Sequence, residues 1–333
     1  MHQAHKPVKY SIGMPDFPRS DLAEKAALLA SSGIYVGTSS WKYEGWLGLI
    51  YIPERYMTRG KFSRAKFEST CLAEYAETFK TVCADAGYYQ FPSAKMLDGY
   101  FSQVPSDFKL SIKVTEDITV KQFPNLPRYG MRAGQTNEHF LDADLFISRF
   151  IGPITPYREQ VGTLFFEFSP FHQGDWERGR EFVAHLDAFL DKLPKGWDYS
   201  VEIRNESFLH PDYFKALRLN GVAHAFNSWS RRPPVSEQMR MVGSETAEFT
   251  SARFLLKPGR NYEQAVKKFQ PYNEVKEPYH EGRDALAKLL TPGTAGSTKR
   301  RYLYVNNRLE GCALWTIYSA ISGHIESKQE ASK

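Results

Sequence analysis

Scarcity narrows this sequence before any motif does. It has only three cysteines, Cys71, Cys83 and Cys312, without a CxxC pair or metal-ligand spacing. That excludes a disulfide framework and a thiolate metal cage, and it predicts free thiols in a reducing compartment. No run approaches the ~20 apolar residues of a membrane span, and residues 1–10 hold no apolar core of signal-peptide length. A cytoplasmic protein with no membrane partner is therefore expected. The patterns GxGxxG, GxxxxGKS/T and GxSxG are missing, which removes support for dinucleotide, P-loop and nucleophile-elbow chemistry. His139, His172, His210 and His224 lie scattered, with no HxH or HExxH, so neither a metal nor another cofactor is expected. Excess charge is also small: 43 Lys and Arg against 38 Asp and Glu leave +5. Nucleic-acid binding needs a concentrated basic patch rather than a small net excess. Lys299-Arg300-Arg301 and Arg231-Arg232 read first as solvated surface.

What is present is alternation. Short runs rich in β-branched and aromatic residues occupy 34–38, 79–83, 108–113, 161–167, 199–204, 222–227, 252–257 and 302–306, and nearly all end on a polar or charged residue. Helix-like or long polar segments lie between them, most clearly 176–193, with Phe182, Val183, Leu186, Phe189 and Leu190 on one stripe. This is the pattern of a (β/α)8 TIM-type barrel, in which the strand ends gather at one mouth. The 333 residues fit one such domain with insertions. Residues 1–33 read as an extended arm and a short helix opened by a capping box at Asp21-Leu22-Ala23-Glu24, placed to plug the closed end. Residues 34–325 form the barrel and 326–333 a polar tail. Long segments at 39–60, 115–137 and 258–282 should sit on the mouth side. They carry rings such as Trp41, Tyr43, Trp46 and Tyr262, and cations such as Lys121, Arg128 and Arg260. Such a rim suits a ligand with flat or sugar-like faces and negative charge, or else its rings pack the loops onto the barrel.

Strand ends supply the candidate site. In the fifth run, alternation puts Ser200, Glu202 and Arg204 on one face and Val201 and Ile203 on the other. Glu202 and Arg204 then point into the barrel or its mouth, where a charge needs a partner. Glu202 is the candidate acid or base, unless it is half of a structural ion pair. Lys113 ends the third strand. Desolvation could make it a nucleophile or acid; the plainer reading is an anion anchor or a partner of Glu202. Thr38, Asp85, Glu167, Asn227, Lys257, Asn306 and Asn307 are further candidates for ligand contact, with Trp41, Tyr43 and Tyr89 from the loops. The two terminal asparagines can fix a hydroxyl or phosphate, or make an Asx-turn and cap the next helix. Asp85, Glu167 and Glu202 are also candidates for a pair of carboxylates flanking a glycosidic bond. His224, inside the sixth strand, reads as a core histidine.

The segment Gly37-Thr38-Ser39-Ser40-Trp41-Lys42-Tyr43-Glu44-Gly45-Trp46-Leu47-Gly48 resembles the YecE-like family, domain of unknown function seventy-two. Matches follow in order at Thr81-Val82 through Pro92, Phe108 to Lys113, Val161 to Pro170, Val201-Glu202-Ile203-Arg204, and Tyr304-Val305-Asn306-Asn307 with Gly311 and Ala313. The resemblance spans about residues 34–325 and implies a TIM-type barrel; it brings no established activity. Trp41, Lys113, Glu202, Arg204, Asn306 and Asn307 are the matching residues that it implies for a shared site. Departures include Cys83-Ala84-Asp85-Ala86 where the family has Glu-x-Asn-Ser, Val120 and Asn205 where it has histidines, and Leu255 to Gly259 where it has Arg-Leu-His-Gly. A divergent branch with an altered ligand or chemistry is the implication.

Three functions are compatible with these residues. The foremost is binding of, or acid/base chemistry on, a small polar or anionic ligand such as a sugar or phosphate ester. The others are a nucleic-acid binder using the basic, aromatic loops, and a non-catalytic binding barrel.

Overall fold

The computed structural model describes residues 16–85, 87–172, 174–291 and 300–331. Eight parallel strands close into a ring: β1 (Ile34–Thr38), β2 (Thr81–Ala84), β3 (Lys109–Lys113), β4 (Val161–Phe168), β5 (Asp198–Ile203), β6 (Ala223–Ser228), β7 (Phe249–Phe254) and β8 (Arg300–Val305). Neighbours in sequence are neighbours in the ring, and β8 returns to β1. Helices α1 (Arg19–Ser31), α2 (Arg64–Tyr75), α3 (Ala94–Phe101), α4 (Gly179–Asp191), α5 (Pro211–Leu219), α6 (Tyr262–Phe269), α7 (His280–Leu290) and α8 (Ala313–Ala331) precede, separate or follow the strands. This is the expected TIM-type barrel.

Period-two alternation decides which residues meet the helices. Phe166 and Phe168 of β4 face outward onto Phe189 and Phe182 of α4, with ring centroids 5.3 and 5.2 Å apart. Helix α4 forms because Phe182, Leu186, Phe189 and Leu190 recur at helical spacing and all become buried; each such side chain contributes about 1.5–3 kcal/mol on burial. The inward residues stack in layers. Tyr35, Phe249 and Tyr302 close the lower end, Tyr35 stacked on Tyr302 at 5.5 Å. Above them lies a hydroxyl layer: Thr81, Ser111 and Tyr304 are linked at 2.6–2.8 Å, and Thr163 meets Ser200 at 2.7 Å.

The ring closes narrowly. Between β1 and β2 one register pair holds, Thr38 with Val82. A Cβ on Gly37 would lie 2.1 Å from the Thr81 carbonyl oxygen, so only glycine lets the two strands approach there.

Three sequence readings are corrected here. Helix α1 does not plug the barrel. Phe17 sits edge-on to Trp315 at 4.9 Å and Lys25 reaches Ser322, both on α8, while its buried Leu22 and Ala26 join the core between strands and helices. Nor does Asp21 cap α1: the helix already begins at Arg19, and Asp21 pairs with Lys25 one turn on at 2.7 Å. Arg232 is buried rather than solvated, its Nη1 donating to the Asn205 carbonyl at 3.1 Å. Residues 1–15 of the predicted arm and residues 332–333 of the predicted tail lie outside the described residues; α8 runs on to Ala331.

Candidate functional site

Six charged side chains converge where β2, β3, β4, β5 and β7 end. Glu167, the last inward residue of β4, is the hub. It accepts from Arg204 Nη2 at 2.6 Å, from Arg253 Nη1 at 2.7 Å and from Lys113 Nζ at 2.9 Å. Arg253 Nη1 also donates to Glu202 Oε2 at 2.6 Å, and Arg204 Nε lies 3.4 Å from Glu202 Oε1. Lys113 completes the set with Asp85 at 3.3 Å. Three cations thus balance three carboxylates. Burial is deep: Glu202 is 0% exposed and Glu167 and Arg253 are each 3% exposed, whereas half of the Asp85 side chain is open. Two rings flank the network. Lys113 Nζ sits 3.9 Å above Tyr88, and the Arg204 guanidinium sits 3.9 Å above Trp229.

These contacts fix the charges. Burial by itself would raise the Glu167 carboxyl, but Arg204, Lys113 and Arg253 outweigh it and hold it well below the usual carboxylate range. Burial would lower Lys113 and Arg253; Glu167 and Asp85 raise the first, and Glu202 with Glu167 raises the second. Lys113 is therefore held as an ammonium, and its main partner is Glu167 rather than Glu202. Glu202 has both oxygens engaged by guanidiniums and is closed to solvent.

The family model described as protein of unknown function DUF72 matches residues 35–322. The chain belongs to that family. Its fold is shared with a DUF72 family protein from Thermotoga maritima, at 18% identity and TM-score 0.57, covering 88% of this chain and 99% of that one. A DUF72 family protein from Enterococcus faecalis is similar at 18% identity and TM-score 0.59, covering 87% of this chain and 95% of that one. No curated protein matches the sequence.

In this DUF72 chain several candidate residues lie away from the charged network. Thr38 shares the outward face of Ile34 and Val36; its hydroxyl meets Tyr75 of α2 at 2.9 Å. Trp41 is buried edge-on against Tyr100 of α3 at 5.3 Å. Lys257 stands three residues past β7 with its ammonium 5.4 Å above Tyr279, just ahead of α7. Tyr89 is exposed at the rim beside Arg128, whose guanidinium lies 5.2 Å from its ring. Most loop rings pack the loops down: Trp46, Tyr51 and Tyr56 are buried, and Trp46 Nε1 donates to the Tyr272 carbonyl at 3.1 Å. His224 is buried among Tyr213, Phe214 and Phe226, and burial with nearby Arg232 pushes it down to about 3.

Asn227 is buried inward on β6, its amide nitrogen donating to the Ile203 carbonyl at 3.3 Å. Asn306 Oδ1 accepts from Arg308 N at 3.0 Å in an Asx-turn, and Asn307 Oδ1 caps α8 by accepting from Ala313 N at 2.7 Å. Tyr43 stands on the β1 side of the mouth, 5.5 Å from Tyr272, and burial pushes its hydroxyl up to about 12. Beside the mouth, a cleft of 250 Å³ includes Lys121, Phe123, Ser169, His172 and Asp175 in its lining. Among the described residues no cluster of His, Cys, Asp and Glu could hold a metal ion, and no helix is long and apolar enough to cross a membrane.

The important omission from the sequence reading is Arg253. The apolar run at 252–257 starts and ends three residues later than β7, so the sequence pattern points to Lys257 as the terminal charge. The signal was available. Ala252 and Phe254 alternate outward exactly as a two-residue period demands for β5's Val201 and Ile203, which leaves Ser251 and Arg253 inward.

Proposed function

We propose that this chain binds a small, polar, anionic ligand rich in hydrogen-bond acceptors, such as a sugar or phosphate ester, at the mouth of the barrel. One observation carries the reading. Between one residue before and three residues after the ends of β1, β6, β7 and β8, five polar side-chain atoms are buried without a hydrogen-bond partner among the described residues: Ser39 Oγ, Asn227 Oδ1, Arg253 Nε, Asn307 Nδ2 and Arg308 Nε. Leaving such atoms unmade costs about 1–3 kcal/mol each. Four of the five can donate and only Asn227 Oδ1 must accept, so the complementary ligand offers oxygens. Lys113 and Arg204 stand at the same level, already held in place by Glu167, so they need no ordering when an oxygen-rich ligand arrives. For turnover, the carboxylate with an open face is Asp85, 3.3 Å from the Lys113 ammonium; Glu202 serves to position the arginines.

A thermal-shift series on the full chain tests this, with sugar phosphates, nucleotides and short single-stranded oligonucleotides in parallel. Saturable stabilisation by one of the small ligands is expected, about 2.7 kcal/mol when free ligand reaches 100 times Kd, and Arg204→Gln should weaken it. A melting temperature unmoved by every small ligand sinks the reading. Stabilisation by oligonucleotides alone, falling steeply with salt, would instead support a nucleic-acid partner along the arginine–aromatic rim.

A further inference from the structure

The unpartnered donors are not spread evenly around the mouth. Ser39 continues the inward parity of Tyr35 and Gly37, and its amide donates to the Val305 carbonyl of β8 at 3.0 Å. It is 2% exposed and Asn307 is 1% exposed. Asn307 spends its Oδ1 on the cap of α8, leaving its amide nitrogen without a partner. Arg308 follows directly. Its guanidinium lies 4.7 Å from the Tyr262 ring and within reach of the Tyr272 hydroxyl, its Nε is buried without a partner, and among the described residues no carboxylate pairs with it. Lys113, Arg204 and Arg253, by contrast, are each neutralised by carboxylates. Three donor groups, one of them cationic, therefore follow directly on the ends of β8 and β1, two strands joined along a full ladder. Asx-turn and helix cap hold this edge rigid.

We infer that the β8–β1 edge, through Arg308, the Asn307 amide and the Ser39 hydroxyl, is a subsite for a tetrahedral or carboxylate anion, and that it seats the anionic end of the ligand. The assignment rests on the mouth-binding reading and adds an orientation to it. The anionic group lies at β8–β1, and the polar body extends across the mouth towards Lys113, Glu167 and Arg204 on the far side of the ring. Tyr43 and Tyr272 wall the edge.

Inorganic phosphate titrated into the full chain is the probe, followed by phosphorus NMR line-broadening and by melting temperature, with chloride at matched ionic strength as the control. Wild type should bind saturably. Arg308→Gln should weaken phosphate by at least about tenfold, as expected for a charge-assisted hydrogen bond. Arg308→Lys should recover part of the loss, and Ser39→Ala should weaken binding a few-fold. Arg128→Gln and Lys121→Gln, cations outside the edge, should leave the affinity unchanged. Wild type without phosphate binding beyond the chloride control overturns the subsite, as does a loss in Arg128→Gln or Lys121→Gln with Arg308→Gln unaffected. If Arg308→Gln unfolds, Ser39→Ala decides alone, and wild-type affinity in that variant overturns the proposal. Failure here while sugar phosphates or nucleotides still stabilise the chain removes the subsite and leaves mouth binding standing. Failure of both removes both.

Discussion

The two halves of the mouth solve the problem of buried polarity in opposite ways. Across β2 to β5 and β7, every charge has a partner of opposite sign: Glu167 alone gathers Arg204, Arg253 and Lys113 within 2.9 Å. Along β8 and β1, Ser39 Oγ, Asn307 Nδ2 and Arg308 Nε are also buried but lack partners among the described residues. The first half has its charges matched without a ligand, with only Arg253 Nε left open among its charged groups, and should act mainly on stability. The second half gains most from an incoming oxygen-rich group and should act mainly on binding. Concentration of charge and unmet hydrogen-bonding demand are therefore separate properties of a buried polar site. The densest charged cluster is the one with the least unmet demand.

Removing Arg253 should break this contrast most severely. Arg253→Leu strips the shared guanidinium from two deeply buried carboxylates, and a loss of about 3–5 kcal/mol is expected in urea unfolding, since the remaining charges are left uncompensated. A loss below 1 kcal/mol would mean that the ion-pair half is not a stability device.

Next comes Glu167→Gln, for which a cost of about 3 kcal/mol is expected for the same reason, together with a change in the acid limb. The Glu167 pKa is depressed in the folded state. Its stabilisation is thus present above the unfolded value, about 4.3, and is lost as pH falls through the folded value. Lys113 is raised, so its share is complete below its unfolded value of about 10.4 and fades only as pH climbs through the folded one. From these two groups the melting temperature should stay level across neutral pH and drop in acid, and Glu167→Gln should flatten that drop. A variant retaining the wild-type acid limb would assign it to other carboxylates.

The smallest stability effect should come from the other half. Arg308→Gln is expected within about 0.5 kcal/mol of wild type, because no ion pair is lost. Destabilisation as large as that of Arg253→Leu would erase the distinction between the halves.

The barrel was legible because eight alternating runs reported burial on two faces, and β5 was legible to the side chain. Val201 and Ile203 pointed out, and Glu202 and Arg204 pointed in. β7 failed for a physical reason. Leu255 and Leu256 are as buried as the strand itself, since Leu256 packs against Ala265 and Phe269 of α6 and against Tyr272. An apolar run marks burial, not ladder pairing, so the strand was read three residues late and Arg253 was passed over. Thr38 and Trp41 lie away from the charged network for a different reason. A polar strand end and a loop tryptophan looked like ligand contacts, yet strand parity sent the first to Tyr75 and packing sent the second to Tyr100. The pairing of Lys113 with Glu167 rather than Glu202 depends on strand order and stagger, which no single segment encodes.

The narrow junction at Gly37 gives the ring a clasp. Elsewhere adjoining strands share longer ladders, but here two neighbours are fastened at one position by the absence of a side chain. Ser39 lies two residues beyond Gly37, so the edge that would seat the anion borders the shortest ladder in the wall, and a molecule bridging Ser39 to Arg308 would act as a stitch across the flank of that junction.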